Sequence, residues 1–359
     1  MESVENFKKV ELHVHLDGAA RHSTLYELAK AKNLPLPGDG TLEDLKNATV
    51  ITEGISLYHF LSPYKFYNEY YRGDLDAVER FAYEFIEDCS KNNVVYVEVR
   101  YMPHKLLGTE LCQELGYEGL KETVRRVYQG LSRGEEDFKV RSKSILSCAT
   151  RWPVDTIHDV LRLAQECRDY GVVGIDLLSI QAKEGPHEEA PVMSNIVQMY
   201  EEARKCGIKT TIHAGEASGA ASIQRAMDVY HTDRVGHGYR VVEDNNIYTS
   251  CLQRKIHIEC CPYSSYLTGA VPFSTRTHPI AQFAKDNANF SLSSDDPTLT
   301  GKYLNEDYKL AQSWGFNKEQ FKIINLNAAE ASFQSDHEKK ELIKLLESAY
   351  SDNRNGSIC

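Results

Sequence analysis

Hydrophobic and polar positions along the chain alternate between two patterns. Short runs rich in apolar and β-branched residues recur, and longer stretches between them carry apolar residues three or four positions apart. The short runs indicate strands, and the longer stretches indicate amphipathic helices. Eight runs are predicted as strands: 9–16, 94–101, 141–149, 172–178, 209–214, 234–239, 256–261 and 289–294.

The stretches between the strands favour a barrel. Between 76 and 92, between 156 and 170 and between 194 and 206, the apolar residues form one stripe along a helix. Gly171 and Gly207 follow the last two stretches, where glycine commonly ends a helix. Eight strands alternating with helices predict an α/β fold, the (β/α)8 or TIM barrel. The alternative is an open doubly wound sheet, but no Gly-x-Gly-x-x-Gly pattern follows the first strand.

Residues 33–75 exceed what a minimal barrel needs after its first strand. They predict a helical insertion with one apolar, aromatic face, and two interpretations stay open. The face either covers the barrel core or forms a hydrophobic lid over the mouth of the barrel. The residues of this face are Leu57, Phe60, Leu61, Tyr64 and Tyr67. The chain is otherwise predicted as one domain, 1–359, with a charged outer helix at 336–350 and a frayed tail at 352–359.

Composition and charge restrict the class of protein. The 359 residues are 42% hydrophobic and carry a net charge of −11, which suits a globular chain but not binding to nucleic acids or anionic membranes. No run of 18 apolar residues and no secretory signal is visible. Nine scattered cysteines then indicate reduced thiols. We therefore expect a cytoplasmic monomer.

The first candidate site lies at the end of the first strand. His13 and His15 stand two apart in an apolar run that closes with Asp17 and Gly18. Because side chains alternate along a strand, both imidazoles leave the same face. A His-x-His pair alone is a weak metal signal, so its weight depends on the other strand ends.

Three more predicted strands end in histidines or acidic residues. His213 and Glu216 close strand five, His237 lies in strand six, and Asp295 and Asp296 follow strand eight. In a barrel these ends converge on one mouth, far apart in sequence but near in space. The pattern therefore predicts one site built from four strands.

The residue types at this mouth suit a single zinc ion. His13, His15 and His213 offer imidazole nitrogens and Asp295 offers a carboxylate, a set that leaves a position for water. Zinc lowers the pKa of bound water to about 7. Glu216, three residues after His213, is placed to act as a general acid or base rather than as a ligand.

Two further residues complete the predicted site. His237 could stabilise the oxygen that attacks the substrate. If the chain stays extended, Asp296 points away from Asp295 and is free to contact the substrate. The chemistry expected here is metal-assisted hydrolysis.

Taken together, the motifs resemble the adenosine deaminase family of the metal-dependent amidohydrolase superfamily. The resemblance runs from Lys9 to about Leu346, and the combination of motifs is highly specific although each one alone is not. The stretches 94–101, 261–269 and 324–329 are also similar to the family. The motifs that carry the resemblance are His13-x-His15-Leu-Asp17-Gly18, His213-Ala-Gly-Glu216, Gly236-His237-Gly238 and Ser294-Asp295-Asp296-Pro297.

The resemblance implies a (β/α)8 barrel with one Zn²⁺ per chain and assigns a role to each residue. The implied zinc ligands are His13, His15, His213 and Asp295. Glu216 is implied as the proton shuttle at purine N1, with His237 beside the activated water. Asp296 is implied at purine N7 and Asp17 near the ribose 5′-hydroxyl. The implied substrate-binding residues are His15, Asp17, Ser179, Asp296 and the gate residues Leu57, Phe60, Leu61 and Tyr64.

One motif departs from the family. After strand four the family usually has Asp-Leu-x-Gly-x-Glu, and the N–H of this glycine meets purine N3. This chain has Asp176-Leu-Leu-Ser179-Ile-Gln181 and a longer loop. Glycine permits closer approach than serine does. We expect the Ser179 N–H to reach N3 nonetheless, because every residue of the chemical step is retained.

The predicted function is hydrolytic deamination of adenosine and 2′-deoxyadenosine to inosine and 2′-deoxyinosine, with release of ammonia. One alternative is a relative that deaminates another aminopurine or an N6-substituted adenosine or AMP. A phosphorylated substrate would favour a basic pocket, and the acidic composition of this chain does not indicate one. The other alternative is a non-catalytic signalling protein on the same fold, which loss of Glu216 or of a zinc ligand would have favoured.

One further motif is a false lead. The run His257-Ile-Glu259-Cys-Cys-Pro262 resembles part of the cytidine-type deaminase signature. Its two cysteines adjoin each other and precede the proline, so the Pro-Cys-x-x-Cys element is missing. We interpret the run as buried strand seven.

Overall fold

Eight strands form the centre of the structure, a computed structural model that describes residues 3–150, 152–178 and 192–351. Each strand lies within its predicted run. The sixth strand ends at His237, two residues before the predicted end, because the backbone leaves the extended region at His237 (φ 66°) and continues with Gly238 (φ 62°). The strands are β1 (Lys9–His15), β2 (Val94–Tyr101), β3 (Arg141–Ala149), β4 (Val172–Leu178), β5 (Lys209–Ala214), β6 (Arg234–His237), β7 (His257–Cys260) and β8 (Phe290–Leu292).

The strands pair in parallel and in sequence order, so β1 lies beside β2 and β7 beside β8. The sheet closes where the chain leaves β8. The Asp295 N–H donates to the His13 carbonyl at 3.1 Å, and the His15 N–H donates to the Asp295 carbonyl at 2.8 Å. We call this contact the seam. The (β/α)8 barrel prediction is therefore confirmed, and the open doubly wound alternative is wrong.

Helices connect the strands and pack on the outside of the barrel. The predicted helical stretches are confirmed as α5, α8 and α9 in the series below, and Gly171 follows the second of them with φ 72°. The helices are α1 (His22–Ala31), α2 (Leu42–Thr49), α3 (Leu57–Phe60), α4 (Tyr64–Tyr67), α5 (Leu75–Lys91), α6 (Pro103–Leu107), α7 (Thr109–Phe138), α8 (Val154–Glu166), α9 (Ser194–Lys205), α10 (Ala220–Asp228), α11 (Asn245–Gln253), α12 (Pro262–Leu267), α13 (Pro279–Lys285), α14 (Pro297–Thr300), α15 (Leu304–Ser313), α16 (Lys318–Ala331) and α17 (Asp336–Ser351).

Helix α5 shows how the local sequence builds this outer layer. Asp74 begins the helix by accepting a hydrogen bond from the Ala77 N–H at 3.0 Å. Its predicted stripe is buried, including Phe81 and Ile86, and packs against β2 and α7. Full burial of such side chains contributes about 1.5–3 kcal/mol each, so the stripe fixes the helix on the barrel.

Helix α17 is the last helix of the described residues. It matches the predicted helix at 336–350, but it is not only a solvated face, because Leu342 and Leu346 are fully buried. The predicted frayed tail, 352–359, lies outside the described residues. Among the helices of the described ranges, none combines the length and the apolar character that crossing a membrane requires.

The insertion, residues 33–75, is helical as predicted and contains α2, α3 and α4. Its Ile51 N–H donates to the Leu299 carbonyl at 2.8 Å, beyond the end of β8. Of its aromatic face, Phe60 and Tyr67 are buried, and the rest is half-buried against the core. The insertion therefore packs on the core, as the first interpretation predicts. It also contacts the loops at the carboxyl ends of the strands, where the lid interpretation places it.

Candidate active site

The carboxyl ends of four strands bring the predicted site residues together. Ring nitrogens of His13, His15 and His213 lie within 4.8 Å of one another, and all three residues come from β1 and β5. Asp295, just beyond β8, places Oδ1 3.3 Å from His13 Nε2 and 3.5 Å from His15 Nε2. The predicted convergence of these residues is therefore observed, while their roles stay a prediction.

Unusual backbone geometry aims two of these side chains. Asp295 and His237 have φ values of 63° and 66°, in the left-handed region that costs non-glycine residues energy. Both residues lie where a strand ends, and the seam bonds hold Asp295 in this conformation. Gly236 leaves the space that the His13 ring occupies, because a Cβ there would lie 2.7 Å from His13 Cε1.

The residues present fit a zinc ion. His13 Nε2 and Asp295 Oδ1 are buried without a hydrogen-bond partner among the described residues, although unpaired buried polar atoms are costly. His15 Nε2 and His213 Nε2 are 3.3 Å apart. Zinc–nitrogen bonds of 2.0–2.1 Å place neighbouring ligand atoms roughly 3 Å apart, close to the spacing of this cluster.

Buried carboxylates hold two of the histidines from behind. Glu259 Oε2 lies 2.7 Å from His13 Nδ1, and Asp176 Oδ1 lies 3.0 Å from His213 Nδ1. A carboxylate at Nδ1 fixes the proton there and leaves Nε2 with its lone pair, as a metal ligand requires. Nε2 of His13 and Nε2 of His213 are therefore available as ligand atoms.

A fully buried arginine joins these two carboxylates. Arg100 Nη2 donates to Glu259 Oε2 at 2.7 Å, and its Nη1 lies 3.5 Å from Asp176 Oδ2. Arg234 binds the other Glu259 oxygen, Oε1, at 2.7 Å and Glu98 at 2.7 Å. We call Arg100, Asp176, Glu259, Arg234 and Glu98 the charged floor. Each charge in it faces an opposite charge, which offsets the cost of its burial.

A glutamate and a histidine complete the wall of the site. Glu216 Oε2 lies 3.6 Å from His237 Nε2, and both side chains are buried. Burial, with the negative charge of Asp295, raises the pKa of Glu216 to about 8, so the carboxyl holds a proton at neutral pH. Burial holds the pKa of His237 well below its usual range, which keeps the imidazole neutral. This arrangement offers a proton donor beside a neutral imidazole.

The residues predicted to touch the substrate line the same mouth. Burial and the Asp295 charge raise the pKa of Asp296 well above its usual range. The Tyr64 hydroxyl donates to Asp296 Oδ1 at 2.5 Å, and the Tyr67 hydroxyl donates to the Asp17 carbonyl at 3.3 Å. Asp17 is buried, and burial raises its pKa. Ser179 lies outside the described residues, so its contact with purine N3 stays a prediction.

The sequence interpretation missed the residues behind the ligands. In the sequence, Glu259 is recognisable only as part of buried strand seven, which the structure confirms, and Asp176 only as part of a motif. Arg100 and Ser264, whose hydroxyl donates to Asp295 Oδ2 at 2.5 Å, were not singled out. A detectable signal was present, because Arg100, Asp176 and Glu259 are charges within otherwise apolar strands, where charges are rare unless paired.

Fold and site together define a barrel hydrolase equipped for metal-assisted chemistry. The sequence profile of the adenosine deaminase family matches residues 8–349. The adenosine deaminase of Xenopus tropicalis is 41% identical over 355 residues, which cover 96% of each chain. The chain therefore belongs to the adenosine deaminase family.

Solved structures agree in fold. The crystal structure of Arabidopsis ADAL complexed with IMP is similar with a TM-score of 0.81 and 26% identity, covering 98% of this chain and 99% of that chain. An amidohydrolase from Burkholderia ambifaria with bound Zn gives a TM-score of 0.81 and 24% identity, covering 97% of this chain and 91% of the other. The barrel is therefore shared over essentially its whole length.

Proposed function

We propose that this protein deaminates adenosine and 2′-deoxyadenosine by hydrolysis, giving inosine and 2′-deoxyinosine with release of ammonia. One observation carries the proposal: four candidate ligands converge beside the Glu216–His237 pair, in a chain 41% identical to an adenosine deaminase over nearly its whole length. A non-catalytic protein would not need to retain both the cluster and the proton donor.

We infer one zinc ion per chain, held by His13, His15, His213 and Asp295. Their spacing and the unpartnered Nε2 of His13 support this inference. The relative from Burkholderia ambifaria, described with bound Zn, is consistent with it. Zinc bound there supplies a Lewis acid that activates water for attack on purine C6 at neutral pH.

The chain's own groups then manage the proton and the charge. Glu216 holds a proton at neutral pH and donates it to purine N1, so that the ring can accept the attack at C6. His237, neutral and buried, lies beside the attacking oxygen and stabilises it by hydrogen bonding. The Glu216 carboxylate left by this donation accepts one proton of the attacking water and passes it to the departing amino group, which leaves as ammonia. The second water proton restores the Glu216 carboxyl.

The remaining groups orient the nucleoside. Asp296 meets purine N7, and Asp17 lies near the ribose 5′-hydroxyl. A carboxyl at the 5′ position favours a hydroxyl over a phosphate, so adenosine is proposed over AMP as the substrate. The insertion, with Leu57, Phe60 and Leu61, closes over the purine and excludes water.

We propose the cytoplasm as its compartment. The eight cysteines within the described ranges are free thiols, six of them buried. Thiols persist in a reducing compartment, which supports this proposal. Detection of the native protein in the cytosolic fraction of cells tests it, and recovery only from a secreted fraction would overturn it.

A spectrophotometric assay tests the activity. Adenosine, deoxyadenosine, adenine and AMP are compared by the loss of absorbance near the adenine band, with metal analysis on the same preparation. We expect turnover of the two nucleosides and about one zinc per chain, with activity lost in chelator and restored by zinc. Faster turnover of AMP would replace the proposal by the nucleotide alternative, and active protein without zinc would remove the metal.

A further inference from the structure

The Tyr64 hydroxyl reaches from the aromatic face of the insertion into the candidate site. Its oxygen lies 2.5 Å from Asp296 Oδ1 and joins α4 of the insertion to the residue that follows the last strand end. Burial, with the charges of Asp17 and Asp296, raises the pKa of Tyr64 well above its usual range. The hydroxyl therefore keeps its proton and is the donor in this contact.

The space for this contact exists because residue 18 is glycine. A Cβ on Gly18 would overlap Asp296 Oδ1 and would lie 2.5 Å from the Tyr64 oxygen. The hydroxyl and the carboxyl therefore meet directly over the Gly18 backbone, in the turn that follows β1. This turn, α4 and the end of β8 converge on one carboxyl group.

The contact leaves the two oxygens of Asp296 unequal. Oδ1 accepts from Tyr64, whereas no group of the described residues hydrogen-bonds to Oδ2. The terminal torsion of aspartate is broad and nearly two-fold, so a carboxyl without such a partner presents either oxygen. Purine N7 is an acceptor, and the oxygen that meets it must carry a proton. With Oδ1 engaged as an acceptor, Oδ2 is the oxygen left to donate.

We propose that Tyr64 is a specificity-determining positioning residue: its hydroxyl fixes the Asp296 carboxyl so that Oδ2 faces the purine, and recognition of N7 thereby depends on the insertion. This inference rests on the proposed function and on the role proposed for Asp296. Tyr64 belongs to the predicted apolar gate, but in this role its polar hydroxyl acts rather than its ring.

The product inosine and one analogue of it test the coupling without turnover. Inosine and 7-deazainosine, in which a C–H replaces N7, are compared as competitive inhibitors of the native enzyme and of Tyr64→Phe. We expect Tyr64→Phe to weaken inosine about three- to tenfold, the worth of one hydrogen bond, and to change 7-deazainosine by less than twofold. With adenosine, KM should rise by a similar factor and kcat should change less.

Tyr67→Phe is the matched control, because the Tyr67 hydroxyl donates to the Asp17 backbone and not to Asp296. It should affect both inhibitors equally. Equal weakening of the two inhibitors by Tyr64→Phe, or no weakening of either, would overturn the inference. Zinc content and thermal unfolding of each variant show whether the fold is retained.

The native enzyme separates this inference from the proposed function. If it does not deaminate adenosine, the proposed function fails. If it does so but binds inosine and 7-deazainosine alike, the function stands while the role of Asp296 at N7, and with it the role of Tyr64, is overturned.

Discussion

The charged floor and the insertion lie on opposite sides of the candidate site and differ in how they are held. The floor consists of ionised side chains on strands, fully buried and joined by short ion pairs such as Arg100–Glu259 at 2.7 Å. The insertion consists of short helices with aromatic side chains and is joined to the barrel by a few hydrogen bonds, such as Tyr64–Asp296.

This difference separates two tasks. Ion pairs on rigid strands fix the ligand histidines to the precision that metal binding requires. Short helices with apolar faces can open and close, as a site that admits a nucleoside requires. Changes on the floor side should therefore alter zinc binding or kcat, and changes in the insertion should alter KM.

The largest effect is expected at Glu216. Glu216→Gln removes the transferable proton but keeps the shape of the side chain, so kcat should fall about 10²-fold or more. Zinc content and KM should change little, because Glu216 is not proposed as a ligand. Steady-state kinetics with metal analysis checks this, and Glu243→Gln, on the exposed surface after β6, serves as a control. Loss of zinc from Glu216→Gln would instead make Glu216 a ligand.

The next effect is expected in the floor itself. Arg100→Met leaves the carboxylates behind His13 and His213 without their shared cation, and zinc affinity should fall about 10- to 100-fold. A chelator competition assay measures this affinity. Arg234→Met is the control, because Arg234 binds Glu259 through Oε1 and not through the oxygen that faces His13.

Both arginine variants should lose stability, by about 3–5 kcal/mol if a buried charge is left unpaired. Both variants share this loss of stability, but only Arg100→Met should also lose zinc affinity. Where Arg100→Met does not fold, Arg100→Lys keeps the charge but loses the two-pronged geometry. Native zinc affinity in both Arg100 variants would contradict the division between floor and insertion.

Lys9, at the start of β1, provides a contrast with the arginines of the charged floor. Its buried amino group faces carbonyl groups, whereas the arginines face carboxylates. Its Nζ donates to the Phe7 and Asn92 carbonyls, each at 2.9 Å. Burial lowers its pKa from 10.5 to about 7. Between these values the unfolded chain binds the proton that the folded chain has lost, so stability increases with pH.

The measurement is the free energy of unfolding of the native chain relative to Lys9→Met. At about 1.4 kcal/mol per pKa unit, this difference should shift in favour of the native chain by roughly 2–3 kcal/mol from pH 7 to pH 9. Methionine does not titrate, and the other titratable groups are the same in both chains. A change of this difference with pH therefore reports on Lys9. A constant difference would mean that Lys9 stays charged in the folded protein.

The smallest effect is expected in the insertion. Leu57→Ala removes part of a half-buried apolar contact, worth about 1 kcal/mol, and should raise KM about fivefold with zinc affinity unchanged. Tyr58→Ala, at the neighbouring position, where the side chain is 65% exposed, is the control and should change KM less. A loss of zinc from Leu57→Ala would show that the two sides are not independent.

The barrel and the clustered site residues could be predicted because their signals are local. Each strand end carried its histidine or carboxylate within a few residues of a turn, and the barrel brings all such ends together. Even the left-handed residue at the end of β6 adjoins a visible glycine, Gly238. Periodicity and turn residues were sufficient for this part of the structure.

The floor and the Tyr64 contact could not be predicted in the same way. Arg100 and Glu259 are 159 positions apart, and Tyr64 and Asp296 are 232 apart. A strand pattern shows which face a residue occupies but not which residue across the barrel it meets. Tyr64 also fitted an apolar stripe, because its ring is apolar and only its hydroxyl is not.

The seam has a consequence for the order in which the protein is made. It joins His13 and His15 in β1 to Asp295, which is translated after all eight strands and after all the other candidate ligands. A nascent chain therefore offers only imidazoles until the eighth strand has emerged. The complete four-ligand site becomes available late in synthesis, and metal loading is tied to the closure of the barrel rather than to its growth.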